Sequence, residues 1–461
     1  MKEIKKVLFT FAAYDYTGIE KYLEKQASEG WMLKRFTGVF MEFSKVEPKK
    51  LRFSVTYFSK ATDFDPKPSK EQEHYMDLCE YTGWKFVTSC GEMQIFCTED
   101  EYATPLETDP IMKVNNIHKT IKKIFVAPYI CLIMITMWNV VSAFSGLIYD
   151  TIEMLSNNYI ILSGFCSIVA LLLIIVEFIA YFRWKSKALK SAEDGIFVES
   201  SGKTNFQYWV AAITCIGGIF MIASIGGKIL FCMGLGIVLI IILIVVGRIY
   251  LISFFKKLGM SKKANMILTT MIFMTLVIII AVVTGIVTFK VGISMRSKPA
   301  YTYEYEDTTY EVYHDEIPFR IEDFMNARND EYSTRCTTKS SLLIEYIEAS
   351  QDTRYDVELD EGIEYTIVKV KSSFVYDMVK NSMYKEIEEY CEELADWRKI
   401  VKVDENQWNA NEVYEVYAGE WSKNHYLLMF DEIIVEVKFD LENELTDQQK
   451  AIIGEKLQNL N

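Results

Sequence analysis

Between Ile124 and Phe289 the chain carries apolar stretches longer than any soluble core requires, and that block limits the possible folds more than any other feature. Five segments are long and apolar enough to span a bilayer: Phe125–Leu147, Tyr159–Phe182, Tyr208–Ile225, Ile229–Val246 and Met266–Phe289. The requirement is about 20 residues, with about 17 as a lower limit. The third and fourth segments are near that limit and are separated by Gly226-Gly227-Lys228, which reads as a tight helical hairpin. Charged, aromatic sequence of ordinary globular character flanks the block on both sides. The expected layout is therefore an α+β domain over residues 1–105, a basic juxtamembrane segment over 106–123, an all-α block of five transmembrane helices over 124–292, and a second α+β domain over 293–461.

The connecting segments carry their charges unevenly. Lys119, Lys122 and Lys123 precede the first span, Arg183, Lys185, Lys187 and Lys190 follow the second, and Arg248, Lys256, Lys257, Lys262 and Lys263 follow the fourth. Ile148–Asn158 holds no Lys or Arg. Positive charge stays on the cytosolic side, so the N-terminal domain is expected in the cytosol and, after five crossings of the cell membrane, the C-terminal domain outside it. Merging the third and fourth segments into one span would instead leave a cytosolic tail and an external basic loop at Arg248–Lys263.

The net charge of −14 conceals a division, because residues 301–461 hold 38 acidic against 16 basic side chains and the first 300 are net positive. Such an acidic domain disfavours nucleic acid and suits cationic peptides. The lipid bilayer is the one partner the composition demands. The nine cysteines show no CxxC or Cys/His ligand spacing, so no structural metal is expected. The start "MKEIKKVLFTFAAYD" has the basic-then-apolar form of a short leader, but Val7–Phe11 also reads as a strand, and the strand is the preferred reading.

An internal repeat organises the first hundred residues. At an offset of 53, Glu20 matches Glu73, Tyr22 matches Tyr75, Gly30-Trp31 matches Gly83-Trp84, Gly38 matches Gly91 and Phe43 matches Phe96. Apolar residues at helical spacing (Ile19, Leu23, Ala27) end at a glycine suited to a helix C-cap, and two strands follow around a second glycine. Each unit is read as β-α-β-β, and the pair as one domain with its helices on one face. Trp31 and Trp84 read foremost as core anchors at the end of the sheet, with a ligand groove between the units as the competing reading.

The Gly-Trp-Met-Leu at Gly30–Leu33, together with the Gly-Trp-x-Phe-Val and Ser-Cys-Gly within Gly83–Gly91, resembles the domain-of-unknown-function 2812 (DUF2812) family. The resemblance implies a bacterial protein in which such a module precedes several membrane helices, and an association with regulators of the PadR type. It implies no catalytic residues and no cofactor.

Within the spans Glu177 is the ionisable exception; relief by snorkelling toward the interface near Arg183 is favoured over a functional role. The C-terminal domain reads as strands at Tyr301–Tyr305, Tyr355–Leu359, Tyr365–Val370, Val413–Tyr417, Tyr426–Phe430 and Ile433–Phe439, a long helix at Phe374–Trp397, and a last helix capped by "TDQQ" from Thr446. Its polar cluster is His314, Asp315 and Glu316, read either as a loop held by carboxylate hydrogen bonds or as an enzymatic site. Cys336 and Cys391 follow the membrane block, where oxidation is permitted, and a bridge between them is weighed against a buried Cys391. Phosphate loops, nucleophile elbows, dinucleotide fingerprints and HExxH are all missing from the sequence. The expectation is a non-enzymatic sensor or regulatory protein that couples an outer domain to a cytosolic binding module. The alternatives are a transport or export component and an envelope enzyme built on His314.

Overall fold

The computed structural model describes residues 3–459 apart from 13, 38, 201–206, 295–297, 326–331, 355, 357–360, 395–396, 420 and 442. Gly38 of the repeat and most of the strand expected at Tyr355–Leu359 lie outside the described residues. The chain forms two compact units: Met1–Val140 with Phe165–Ala223 and Gly227–Lys290, and Val141–Gly164 with Ser224–Gly226 and Val291–Asn461.

In the first unit the repeat is realised strand for strand. Repeat 1 is β1 (Ile4–Leu8), α1 (Tyr16–Ser28), β2 (Trp31–Phe36) and β3 (Phe40–Lys45). Repeat 2 is β4 (Arg52–Tyr57), α2 (Lys70–Tyr81), β5 (Lys85–Cys90) and β6 (Met93–Thr98). Asp15 caps α1 by accepting the Gly18 N–H at 3.1 Å, and Ser69 caps α2 by accepting the Gln72 N–H at 3.2 Å. Both helices end at a glycine in the left-handed region, Gly30 at φ +82° and Gly83 at φ +88°. Each sheet is antiparallel with the last strand in the middle, β1-β3-β2 and β4-β6-β5. Even the irregularities repeat: the ladders slip at Lys34 and at Val87, again 53 residues apart. The two repeats form two separate three-stranded sheets, not one sheet with both helices on a face.

After β6 a strap leads through α3 (Pro110–Ile121) and a wide π-type turn at Lys122–Val126 into α4 (Ala127–Tyr149). The short α5 (Thr151–Ser156) precedes α6 (Asn158–Glu193). The 36 residues of α6 extend about 54 Å, well beyond the ~30 Å hydrocarbon layer. Its buried positions Ser167, Ala170, Ile174, Glu177, Tyr181, Trp184, Ala188 and Ala192 recur every three or four residues, the seam of a helix packed along its length.

Among the described residues three helices are long and apolar enough to cross a membrane: Tyr129–Tyr149, Asn158–Glu193 and Lys262–Val287, the last within α8 (Lys262–Ser294). The expected third and fourth spans instead fall within one helical run, α7 (Gln207–Lys257), of which Tyr208–Ala223 is a shorter apolar helix. That run is not straight. A straight helix would separate Ile219 and Gly234 by about 22 Å, yet a Cβ on Gly234 would lie 3.2 Å from Ile219 Cγ2. The rings of Phe220 and Phe231 are likewise 6.1 Å apart, so the chain doubles back between them.

The second unit is built on a seven-stranded antiparallel sheet in the order β12-β13-β14-β15-β11-β10-β9. Its strands are β9 (Tyr332–Ser340), β10 (Ile344–Thr353), β11 (Gly362–Val370), β12 (Arg398–Val403), β13 (Glu412–Ala418), β14 (Trp421–Met429) and β15 (Ile433–Asp440). A hairpin of β7 (Tyr301–Tyr305) and β8 (Thr308–Val312) stands beside it. Strand alternation divides the core in two. On one face Tyr365, Ile367, Leu428 and Val435 pack with Phe319, Trp408 and, from α10 (Asp447–Gln458), Ile453 and Leu457. On the other, Val368, Leu427 and Ile434 pack with Val375, Val379, Met383 and Cys391 of α9 (Ser373–Leu394), and with Leu155 of α5. Ser341 Oγ donates to Leu155 O at 2.5 Å and the Leu342 N–H to Asn158 Oδ1 at 2.9 Å, which fastens the α4–α6 connection to the sheet. The expected capping box is present: Thr446 accepts the Gln449 N–H, and Gln449 Oε1 accepts the Thr446 N–H at 2.9 Å.

Cys336 and Cys391 are both free thiols. Cys336 packs on the Tyr365 face and Cys391 is buried on the opposite one, so the sheet itself stands between them: the bridge is not formed, and the alternative of a buried Cys391 holds.

Gly454 is the tightest point of this unit, because a Cβ there would sit 1.9 Å from the backbone carbonyl of Trp408. Gly454→Ala forces α10 off the Trp408 turn and is expected to destabilise the domain by roughly 1–3 kcal/mol. Limited proteolysis of the full-length chain in denaturant reads that loss.

Candidate functional site

The repeats meet through an edge strand. β4 has β6 on one side only, so its outward N–H groups need acceptors. They find them on the helix of the other repeat: Glu20 Oε1 accepts the Val55 N–H at 2.8 Å, and Glu24 Oε1 accepts the Phe53 N–H at 3.3 Å. The strap adds a nearly buried Lys113–Glu107 pair at 3.4 Å, with Lys113 Nζ 4.0 Å from the centre of the Tyr16 ring. Burial pushes the Glu20 carboxyl up to about 7, with Glu24 and Glu107 acting in the same direction and Lys113 and the Val55 N–H opposing. Burial likewise raises Glu107. Glu20 and Glu107 thus share the Lys113 ammonium.

Beside this junction lies a groove of about 500 Å³. Ala27, Met32 and Val46 line it from repeat 1, and Leu51, Gly83, Lys85, Cys97 and Thr98 from the side of repeat 2. Lys49 and Glu99 at its rim form an ion pair at 2.9 Å, whereas Lys85 has no ion pair among the described residues. The volume and the apolar floor are those of a small-molecule site.

Neither tryptophan lines this groove, and for Trp84 the core-packing reading describes its setting. Trp84 is buried, donating its ring N–H to Thr104 O at 2.8 Å. Trp31 is partly exposed on β2, with Lys45 4.6 Å and Lys5 5.4 Å from its ring. Their neighbours, Met32 and Gly83, are what face the groove.

Each repeat is also tied to a different long apolar helix. In repeat 1, Tyr14 packs on Trp184 and Tyr181 of α6 at 5.0 and 5.5 Å, and Tyr16 OH donates to Val198 O at 2.9 Å. In repeat 2, Asp65 pairs with Lys262 at 3.3 Å, and Asn265 donates to Phe64 O at 3.4 Å, both at the start of α8. Glu177 does not snorkel. It is buried and accepts a hydrogen bond from Tyr129 of α4, in place of the expected relief toward the interface near Arg183.

In the second unit His314 and Glu316 are exposed, and Asp315 ties its loop to β9 by accepting the Cys336 N–H at 3.0 Å. The three do not converge, and no group of potential metal ligands occurs among the described residues. A separate cleft of about 300 Å³ gathers Asp150, Glu153, Glu386, Glu389 and Glu436 around Lys385. Burial and the neighbouring Glu436, Asp150 and Glu389 raise the Glu386 carboxyl.

The architecture is that of a tandem β-α-β-β module continuing into apolar helices. Residues 15–130 match the model of the family described as "Protein of unknown function (DUF2812)", and the chain resembles that family over this stretch. The match runs from the cap of α1 to the first turn of α4, so the strap and α3 belong to the matched region along with repeat 2 and all of repeat 1 but β1. No curated protein and no solved structure matches the chain.

Sequence reasoning missed Glu24, Glu107 and Lys113. Glu20 was visible as the counterpart of Glu73, but nothing local marks a helix carboxylate as the acceptor for a strand 35 residues away.

Two measurements test this description. Trp84→Ala is expected to destabilise the module by roughly 3–5 kcal/mol, and Trp31→Ala by under about 1 kcal/mol. Because Glu20 holds its proton above its ordinary value of 4.5, its contribution to stability is complete below about 4.5 and is lost as the pH rises through about 7, a difference of up to roughly 3 kcal/mol. Glu20→Gln should flatten that part of the pH–stability profile.

Proposed function

We propose that this chain is a non-enzymatic membrane regulatory protein whose N-terminal module binds an apolar small molecule in the groove between its repeats. One observation carries the reading: the groove is lined from both repeats, and each repeat is anchored to a different membrane element. A ligand that spreads or closes the groove shifts α6 relative to the start of α8, and this converts occupancy into a movement of helices. The acidic cleft of the second unit supports a cationic ligand there, such as a basic peptide, so that one chain receives two inputs. A regulator of the PadR type is the cytosolic partner that the family resemblance suggests.

The proposed orientation is cytosolic for the N-terminal module and extracytoplasmic for the C-terminal domain. The distribution of Lys and Arg supports it. So does the docking of the α4–α6 connection, which lacks Lys and Arg, in the same unit as the C-terminal sheet. The doubling back of α7 is consistent with a five-span path, since a hairpin returns the chain to the side it left.

Two experiments test these points. Leu342 and Tyr102 are exposed, and cysteines placed there report sidedness. In intact cells a membrane-impermeant thiol reagent should label Leu342→Cys, and should label Tyr102→Cys only after lysis; the reverse pattern refutes the orientation. Native mass spectrometry of the full-length chain should show a co-purifying small molecule that Met32→Trp, which fills the groove, displaces. An unliganded wild-type spectrum under gentle extraction removes the groove's role.

A further inference from the structure

The contact that joins the two repeats has a second half that the chain itself leaves open. α1 presents Glu20 and Glu24 to the outward N–H groups of β4. At the repeat offset of 53, α2 presents Glu73 and Asp77, both exposed, and no third repeat follows in the described chain to receive them. At the other end β1 is the outer strand of its sheet, in the position that β4 holds in repeat 2. The registers coincide, since Leu8 pairs with Phe40 as Tyr57 pairs with Met93, and Phe40 and Met93 are 53 apart. Lys6 is therefore the counterpart of Val55 and Ile4 that of Phe53, so that their N–H groups face away from β3. Among the described residues no helix covers β1 as α1 covers β4.

The exposed surfaces are complementary. β1 carries Lys6, which pairs with Glu42 at 3.0 Å yet stays 61% exposed, and Ile4 is 57% exposed, while Lys5 turns to the other face and donates to Gln26. α2 carries Glu73, Asp77 and Glu80, with Tyr81 90% exposed. An uncovered edge strand invites pairing or capping by another chain.

We propose that α2 of one molecule caps the β1 edge of a second copy of this chain, reproducing between molecules the carboxylate-to-edge-strand contact that α1 and β4 make within one. The surfaces are different on the two partners, so the contact is head to tail and propagates into a ring or a row instead of closing as a two-fold dimer. It is independent of whether the groove binds a ligand.

Cross-linking of the full-length protein in native membranes tests it. The double variant Lys6→Cys with Glu73→Cys, treated with a short bifunctional thiol reagent, should give a ladder of dimers, trimers and larger species. Each single variant should give no more than the wild-type background from native cysteines. A single variant that dimerises alone indicates a two-fold contact and overturns the proposal, as does a double variant with no ladder. Reversing Glu73 and Asp77 to Arg, at exposed positions that the fold does not use, should reduce the assembly to monomers by native mass spectrometry. Adding Lys6→Glu should restore at least half of it. Assemblies of unchanged size after the reversal equally overturn the proposal.

Discussion

An edge strand with free N–H groups cannot be left buried, and the arrangement of the N-terminal module follows from how β4 meets that demand. Glu20 and Glu24 of the other repeat supply the acceptors. A carboxylate receives an N–H more strongly than a neutral oxygen does, but it must be desolvated to reach the strand. The raised Glu20 carboxyl records that conflict. The contact places α1 of repeat 1 against the first strand of repeat 2, and the groove forms where the two surfaces diverge around Ala27 and Leu51.

From this junction the rest of the first unit is organised by anchoring. The aromatic cluster of Tyr14, Tyr181 and Trp184 binds repeat 1 to α6, and the Phe64–Asp65 loop binds repeat 2 to the start of α8. The strap reinforces both repeats. Trp84 donates to Thr104, and Glu92 of β5–β6 receives Lys123 at 2.5 Å and Thr120. The second unit uses the same device at the α4–α6 connection, where Leu155, Ser341 and Asn158 lock the turn onto the sheet. In both units a sheet is fastened to the end of a long apolar helix by an apolar plug and a few polar contacts.

Local pattern alone was sufficient for the repeat, its β-α-β-β order, both helix-ending glycines, the Thr446 capping box and the three longest apolar helices. These depend on interactions within a few residues: a glycine is needed where φ is positive, a side-chain oxygen caps a neighbouring N–H, and a long apolar run has no soluble alternative. Tertiary packing decided the rest. Trp31 and Trp84 are sequence equivalents, yet one is half open between two lysines and the other is sealed beneath the strap, because the segment that follows repeat 2 folds over its tryptophan and the one that follows repeat 1 does not. Glu20 and Glu73 are equivalents too, but only Glu20 has a next strand to cap. Cys336 and Cys391 share a compartment in the proposed topology, yet sit on opposite faces of one sheet, a separation set by strand register. Whether a residue lines a groove, fills a core or waits for a partner depends on what the chain brings to it from far away, and no local pattern in the sequence carries that information.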